Sequence, residues 1–450
     1  MLDALSWGAI LATFVGALLL ISERGYRDGW RSAWFIAVLV VPAWLAVTFR
    51  SIRLDPTLAV AAATLGVALF RRFRGVRTTW TVSDILLAVL CLTFVVSDAL
   101  TRTLIPGSLF ELLRMWVLPY VLGRMFVGDG GEEQRSFPIV CVLVAGLSAF
   151  ALIEAISQAN VLARATGMHW PLLDTSEGFR WGLKRAQATT NHPIYFGLLL
   201  ALVLPWTLVA ARVALRGEGP RWWACVPVLA VAAAFATVSR SAQIAVLLVI
   251  ASDLFFRRPT YRAPMVVAAV VGLALLLVFR TEAIDILGRY AGEDAPGTDI
   301  VLIHGEEYVY TGTRHRDLLM LAYDDAIEGA GWVGYGTNLR DMPTDPFMDP
   351  RFASIDNHYL LYMLRHGYLS VAAFLAFAAA AAVNLARVAL RRDGLESDLA
   401  AGLCGAVVAV AILLRGVAFS GDFGTMWLFA AGLGAGWLTR PRPVSPEAAA

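Results

Sequence analysis

Four short segments of this chain combine residue types that handle phosphate and protons, and each borders a long apolar run. The first, RWGLKRAQATTNHPIYFG over 180–197, sets Arg180, Lys184 and Arg185 just ahead of Asn191, His192 and Pro193. Cations at a membrane surface suit a diphosphate, and an arginine can grip two phosphate oxygens at once. The same charges suit plain anchoring to lipid headgroups, and spacing favours neither reading. The second, TVSRSAQ, exposes Arg240 between Ser239 and Ser241 in a turn of a few residues. An arginine at a helix end snorkels to the interface by default, yet this one is nearly the only charge in its neighbourhood, which suits a second phosphate ligand.

The third segment, TGTRHRDLLMLAYDDAIEGAGWVGYGTN, carries Arg316 at its head and Gly334 and Gly336 near its end. Those glycines permit either a tight turn beside a ligand or a simple helix stop. The fourth, SIDNHYLLYMLRHGYL, stands Asp356, Asn357 and His358 at the mouth of a long apolar run. An aspartate or histidine at an apolar rim can take a proton near neutral pH. Alternatively Asp356 or Asn357 caps the helix, worth about 1 kcal/mol, and the two roles are compatible.

Other polar groups point less far. Glu111 and Arg114 are spaced to pair on one helix face. Asp341, Asp345 and Asp349 recur every four residues, but Pro343 and Pro346 between them forbid one helical face, which weakens a cation site. Cys91, Cys141, Cys225 and Cys404 each lie within apolar sequence and read as packing residues. Walker, His-Glu-x-x-His and Gly-x-Ser-x-Gly patterns do not occur, which argues against common ATPases, membrane metalloproteases and serine hydrolases.

The elements that must position these groups are membrane helices. Only 16% of the 450 residues are charged and 58% are hydrophobic, whereas about a quarter of a soluble domain is charged. A span needs about 20 apolar residues. The runs 5–21, 33–49, 57–70, 83–100, 108–127, 137–157, 193–213, 222–238, 241–256, 263–280, 359–389, 399–415 and 417–438 meet or approach that length. The third is short and the eleventh overlong, so the expectation is an all-α polytopic bundle of about 12–13 spans. The first run lacks a basic leader and a small-residue cleavage site, and is expected to be retained.

Alternate connections divide the basic residues about twenty to five, with Arg24, Arg27 and Arg31 in the rich set and Arg53, Arg102 and Arg415 in the poor one. The rich set is expected to be cytoplasmic. Two long connections, 158–192 and 281–358, then lie outside, and all of His169, His192, His304, His315, His358 and His366 fall in or beside them. The resulting division is N-terminal helices over 1–157, a first outer loop over 158–192 and central helices over 193–280. A large outer loop over 281–358, C-terminal helices over 359–440 and a cytoplasmic tail over 441–450 follow. Within the large loop, Leu319, Ala322, Tyr323, Ala326 and Ile327 recur at helical spacing opposite Asp324 and Asp325, which predicts an amphipathic helix. The stretch DMPTDPFMDPRF is expected to be irregular. No basic cluster is interleaved with aromatic residues, so nucleic acid is not an expected partner.

In this order, the four segments resemble the O-antigen ligase and polysaccharide polymerase superfamily, over roughly 180–377. RAQATTNHP is similar to that family's arginine followed by an Asn/His-Pro helix start, and SRS to its Ser-Arg turn. Arg316 through GWVGYG resembles its arginine, amphipathic helix and Gly-x-Gly stretch, and DNHYLLYMLRHG its His-Asn-x-Tyr-Leu signature. The resemblance implies a membrane glycosyltransferase of the bacterial inner membrane acting on its outer face. The donor would be a glycan on undecaprenyl diphosphate, the acceptor a glycan or lipid-linked hydroxyl, and no metal or cofactor would be needed. Membrane lipids and other polysaccharide-assembly proteins would be its partners. Arg185 and Arg240 would bind the diphosphate and Arg316 the diphosphate or glycan, with Lys184, His192 and Asn357 nearby.

Ala188 stands where the family commonly has glycine. Aligning Tyr359 and Leu360 puts Asp356 at the family's histidine position and shifts the histidine to His358. His358 keeps the residue type and Asp356 the position; the residue type favours His358 as base. A flippase for the same lipid-linked sugars is the competing class, although no internal repeat is evident and the polar groups gather at helix ends rather than mid-span.

Overall fold

Backbone polar groups in hydrocarbon must be satisfied within their own segment, so long apolar runs fold as helices. The structure is a computed structural model that describes residues 2–49, 52–70, 79–127, 132–167, 178–180, 182–279, 300–310, 314–343 and 349–440. It opens with α1 (Leu2–Arg24) and α2 (Tyr26–Leu39), a hairpin of β1 (Val47–Phe49) and β2 (Ile52–Leu54), then α3 (Pro56–Phe70) and α4 (Val82–Leu100). A helix with one wide π turn at Leu113–Val117 follows as α5 (Pro106–Leu112) and α6 (Leu118–Phe126), then α7 (Phe137–Ser157) and α8 (Val161–Ala165). The hairpin β3 (Phe179–Arg180) and β4 (Leu183–Lys184) precedes α9 (Pro193–Leu215), α10 (Val226–Ala236), α11 (Arg240–Arg257) and α12 (Pro259–Val278). A third hairpin, β5 (Ile300–Ile303) and β6 (Glu306–Val309), leads to α13 (His315–Ala322) and α14 (Asp324–Ala330). The chain finishes with α15 (His358–Arg391), α16 (Leu395–Leu413) and α17 (Gly421–Thr439).

Among the described residues, six helices are long and apolar enough to cross a membrane: Asp3–Arg24, Val82–Leu100, Glu133–Ser157, Pro193–Leu215, His358–Arg391 and Leu395–Gly416. The outside of the bundle is itself apolar, with Leu69 80%, Leu11 64% and Val270 62% exposed. Water would not tolerate so continuous a surface; a membrane would. The interior holds α9 and α17, whose tryptophans Trp206, Trp427 and Trp437 are fully enclosed. There α6 and α17 meet backbone to backbone: a Cβ on Gly123 would lie 2.1 Å from the Phe429 carbonyl, and one on Gly432 the same distance from that of Tyr120. Small residues permit such close approach in membranes.

The expected second span, 33–49, is not a helix throughout. Its helix runs instead over Tyr26–Leu39, 14 residues, and beyond Pro42 the chain turns into the first hairpin. Proline cannot continue the hydrogen-bond ladder. At about 1.5 Å per residue so short a helix cannot cross hydrocarbon, and α2 is enclosed by protein, with Trp30, Trp34 and Phe35 buried. The overlong run is one 34-residue helix interrupted at Gly367, where φ is +73°.

The predicted amphipathic helix is two helices, α13 and α14, separated at Tyr323. Its apolar face is covered by protein: Leu319, Tyr323 and Ala326 pack with Phe352, Leu360 and Leu364. In the stretch expected to be irregular after Asp341, Pro350–Phe352 forms a tight turn. Residues 344–348, with Asp345, lie outside the described residues, as does His169.

Glu111 and Arg114 do pair, at 2.8 Å through Nη2, and Asp55 ahead of α3 is a second carboxylate on the same guanidinium. Cys225 is exposed, while Cys141 and Cys404 are buried as expected.

Candidate functional site

Hydrogen bonds gather the connections that carry the four segments at one end of the bundle. The Ala43 amide donates to the Thr189 carbonyl at 2.9 Å and the Ala186 amide to that of Ala236 at 3.1 Å. Asn191 N–H donates to Asp422 Oδ2 at 3.1 Å. Ion pairs tie the opposite end, among them Arg124–Asp84 at 2.6 Å and Arg392–Glu396 at 2.7 Å.

The segment after β4 is fixed from below. Buried Glu154 of α7 accepts the amides of Gln187 at 3.2 Å and Ala188 at 2.8 Å, and Asn160 Nδ2 donates to the Ala188 carbonyl at 2.9 Å. Ala188 itself has φ +50°, a left-handed conformation that glycine would enter without strain. Lys184 is buried beside Glu154, whose carboxylate offsets its charge. Arg185, also buried, directs Nε at the Thr237 carbonyl, 3.4 Å away, and so reaches the turn that carries Arg240.

His192 caps α9: its Nδ1 accepts the Ile194 amide at 3.1 Å. Burial, then Arg185 and Arg180, push its pKa down from 6.5 to about 3. A histidine held neutral in the fold contributes full stability above its unfolded value and loses it as the pH falls toward the folded one. The apparent Tm of the purified protein should therefore drop between about pH 6.5 and about pH 3, and His192→Asn, which retains a capping acceptor, should flatten part of that drop. Equal slopes for the two proteins would contradict this assignment.

Arg240 is the first residue of α11, where the helix dipole is positive and a cation is disfavoured. Arg316, in the first turn of α13, donates through Nη2 to the Gly416 carbonyl at 3.1 Å. It lies against Gly416: a Cβ there would come within 2.6 Å of the guanidinium. The Arg316 pKa is lowered first by burial and then by Arg240, with Arg415 and Arg180 adding to the effect and Asp356 opposing it. Four arginines thus share one electrostatic neighbourhood with Asp356, and Arg185 joins it through Arg180 and His192.

The two candidate bases part company at the start of α15. Between them Asn357 is the cap, its Oδ1 accepting the amides of Tyr359 at 3.1 Å and Leu360 at 3.2 Å. On one side Asp356 is exposed, accepts the Ser354 hydroxyl at 3.2 Å and faces Arg316 and Tyr195. On the other, His358 is 1% exposed. Its Nδ1 accepts the Phe419 amide at 3.3 Å, and the Tyr362 ring lies 3.8 Å from its own. Its Nε2 is buried without a hydrogen-bond partner, beside a cavity of about 500 Å³ that Asp98, Arg365 and His366 also line.

The remaining described histidines make ring and ion-pair contacts. His304 joins Asp324 at 2.9 Å, His315 stacks on Phe352 and His366 packs on Phe94. Asp349 is engaged by its neighbour Arg351 at 2.8 Å. Gly334 and Gly336 serve a role that neither sequence reading anticipated. The amides of Tyr335 and Gly336 donate at 2.8 Å to the Leu364 and Arg365 carbonyls, freed by the break at Gly367. Asp98, which accepts the Thr337 amide at 2.7 Å, completes that junction.

Sequence reasoning passed over Asp55, Asp98 and Asp422. Each is a lone carboxylate at the edge of an apolar run, and that context was the available signal. No protein-family model matches the chain, and no curated protein matches it.

Proposed function

We propose that the protein is a membrane glycosyltransferase of the O-antigen ligase or polysaccharide polymerase type. It joins glycan from a polyprenyl diphosphate carrier to an acceptor hydroxyl at the outer face of a bacterial cytoplasmic membrane. The observation that carries this reading is the gathering of Arg240, Arg415, Arg180 and Asp356 in the electrostatic field of the buried Arg316. Like charges held this close repel one another, and a diphosphate relieves that repulsion while offering arginines the oxygens they bind best. The excess of arginine in the alternate connections supports an extracytoplasmic location for this end.

In the reaction, Asp356 takes the proton of the acceptor hydroxyl as its oxygen attacks the anomeric carbon. The bond from that carbon to the diphosphate breaks, and polyprenyl diphosphate leaves with the electron pair. The arginines stabilise the charge that grows on the leaving group, which is the interaction that accelerates the step. A single displacement of this kind inverts the anomeric centre.

Replacing Arg185, Arg240 and Arg316 singly with Ala should each lower transfer about 100-fold or more, the usual loss for one such contact. Surface glycan resolved on gels is the readout. Unchanged glycan in all three variants would sink the assignment. Accumulation of the lipid-linked single unit identifies a polymerase, and accumulation of long lipid-linked polymer a ligase.

A further inference from the structure

A cavity of about 310 Å³ opens beside the arginine cluster, lined by Arg53, Asp55, Glu111, Arg114, Asn191 and Asp422. Its chemistry differs from that of the cluster. Three carboxylates face two guanidiniums, so there is no surplus positive charge to attract a phosphate. Tyr195 and Phe419 add aromatic faces to the wall. Two of the polar side chains are incompletely satisfied: Arg53 Nε and Asn191 Oδ1 are both buried without a hydrogen-bond partner. An unmade buried hydrogen bond is costly, and two lining one cavity argue for a ligand that supplies both an acceptor and a donor.

We infer that this cavity binds the acceptor glycan, as a neutral, hydroxyl-rich saccharide unit. Hydroxyl groups donate and accept together, as the two unsatisfied atoms require, and sugar C–H faces pack on aromatic rings. The volume is near the lower end for small-ligand pockets, about 300 Å³, which suits a short saccharide end rather than a length of polymer. Tyr195 joins the cavity to the reaction centre, since it lines the wall and lies in the electrostatic field of both Asp422 and Asp356. The chain from Gly416 to Asp422 does the same, with Arg316 on its first residue and the cavity against its last. A sugar seated here directs a hydroxyl toward Asp356 while the diphosphate stays on the arginines. The inference rests on the transferase reading for its role, though not for the site.

The test uses the full-length protein in nanodiscs. The probe is the carrier-free repeat oligosaccharide, released by mild acid from the host's lipid-linked glycan. Asn191→Leu and Arg53→Met should each weaken calorimetric binding of this oligosaccharide by about 10-fold or more, the worth of one charged or buried hydrogen bond. In transfer assays they should raise its KM by a like factor and leave the KM for lipid-linked donor unchanged. Unaltered affinity and KM for the oligosaccharide in both folded variants, or a raised donor KM instead, would overturn the acceptor site and leave the transferase reading standing. Binding that both variants weaken, in a wild-type protein that forms no glycosidic bond, would keep the saccharide site and refute the transferase. A wild-type protein that does not bind the oligosaccharide at all would overturn the site outright.

Discussion

Asp356→Asn should abolish nearly all glycosyl transfer, lowering the rate by about 10²–10⁴-fold, the span assigned to a positioned proton acceptor. The amide is isosteric, accepts the Ser354 hydroxyl as the carboxylate does, and cannot take a proton from the acceptor. Donor affinity should stay within about threefold, because the arginines that hold the diphosphate remain. His358→Gln is the decisive companion. His358 has the residue type expected of a base, but its Nδ1 is committed to the Phe419 amide and its ring to Tyr362. Glutamine preserves an acceptor for that amide, so the variant should transfer glycan within about tenfold of wild type once corrected for folded protein. The reverse order, an active Asp356→Asn with an inactive but folded His358→Gln, would move the base to His358 and its neighbouring cavity.

The second large effect concerns folding. At Gly367 φ is +73°, and an added Cβ would lie 2.2 Å from the Trp332 carbonyl carbon. Backbone cannot yield as the tip of a side chain can, so Gly367→Ala combines conformational strain of about 1–2 kcal/mol with an overpacking cost of about 1–3 kcal/mol. It would also separate Tyr335 and Gly336 from the carbonyls they satisfy. A loss of roughly 3 kcal/mol is expected, seen as a lower apparent Tm in detergent and poor recovery of monodisperse protein. Gly394→Ala serves as the control: its φ is +75°, but nothing lies within 4 Å of the added atom. That change should cost only the conformational part, about 1–2 kcal/mol. Equal shifts for the two variants would show that contact with the 331–336 segment contributes nothing.

Much of this molecule can be read from one dimension. Hydrophobic transfer is local and nearly additive along a segment, so runs such as 83–100, 137–157 and 193–213 become helices wherever they are placed in the bundle. Proline acts on its own neighbours, and among the described residues of 341–352 the helical element is the short turn Pro350–Phe352. The partnership of Glu111 with Arg114 follows in the same way from helical spacing. In the expected second span a local breaker outweighs hydropathy: Pro42 follows the end of the helix at Leu39.

The site obeys a different logic. Arg180, Arg240, Arg316 and Arg415 are separated by scores of residues, and nothing in their spacing encodes that they share one electrostatic neighbourhood. That neighbourhood depends on which helix ends are adjacent, set by contacts such as Ala186 with Ala236 and Arg316 with Gly416. The different settings of Asp356 and His358 are likewise invisible in the string, where they are two residues apart. The Asn357 cap turns the chain from extended to helical between them, leaving one carboxylate exposed in the field of Arg316 and enclosing one imidazole in aromatic rings. Residue chemistry and membrane helices are therefore properties of segments, whereas a binding site is a property of pairs distant in sequence, which only packing brings within reach.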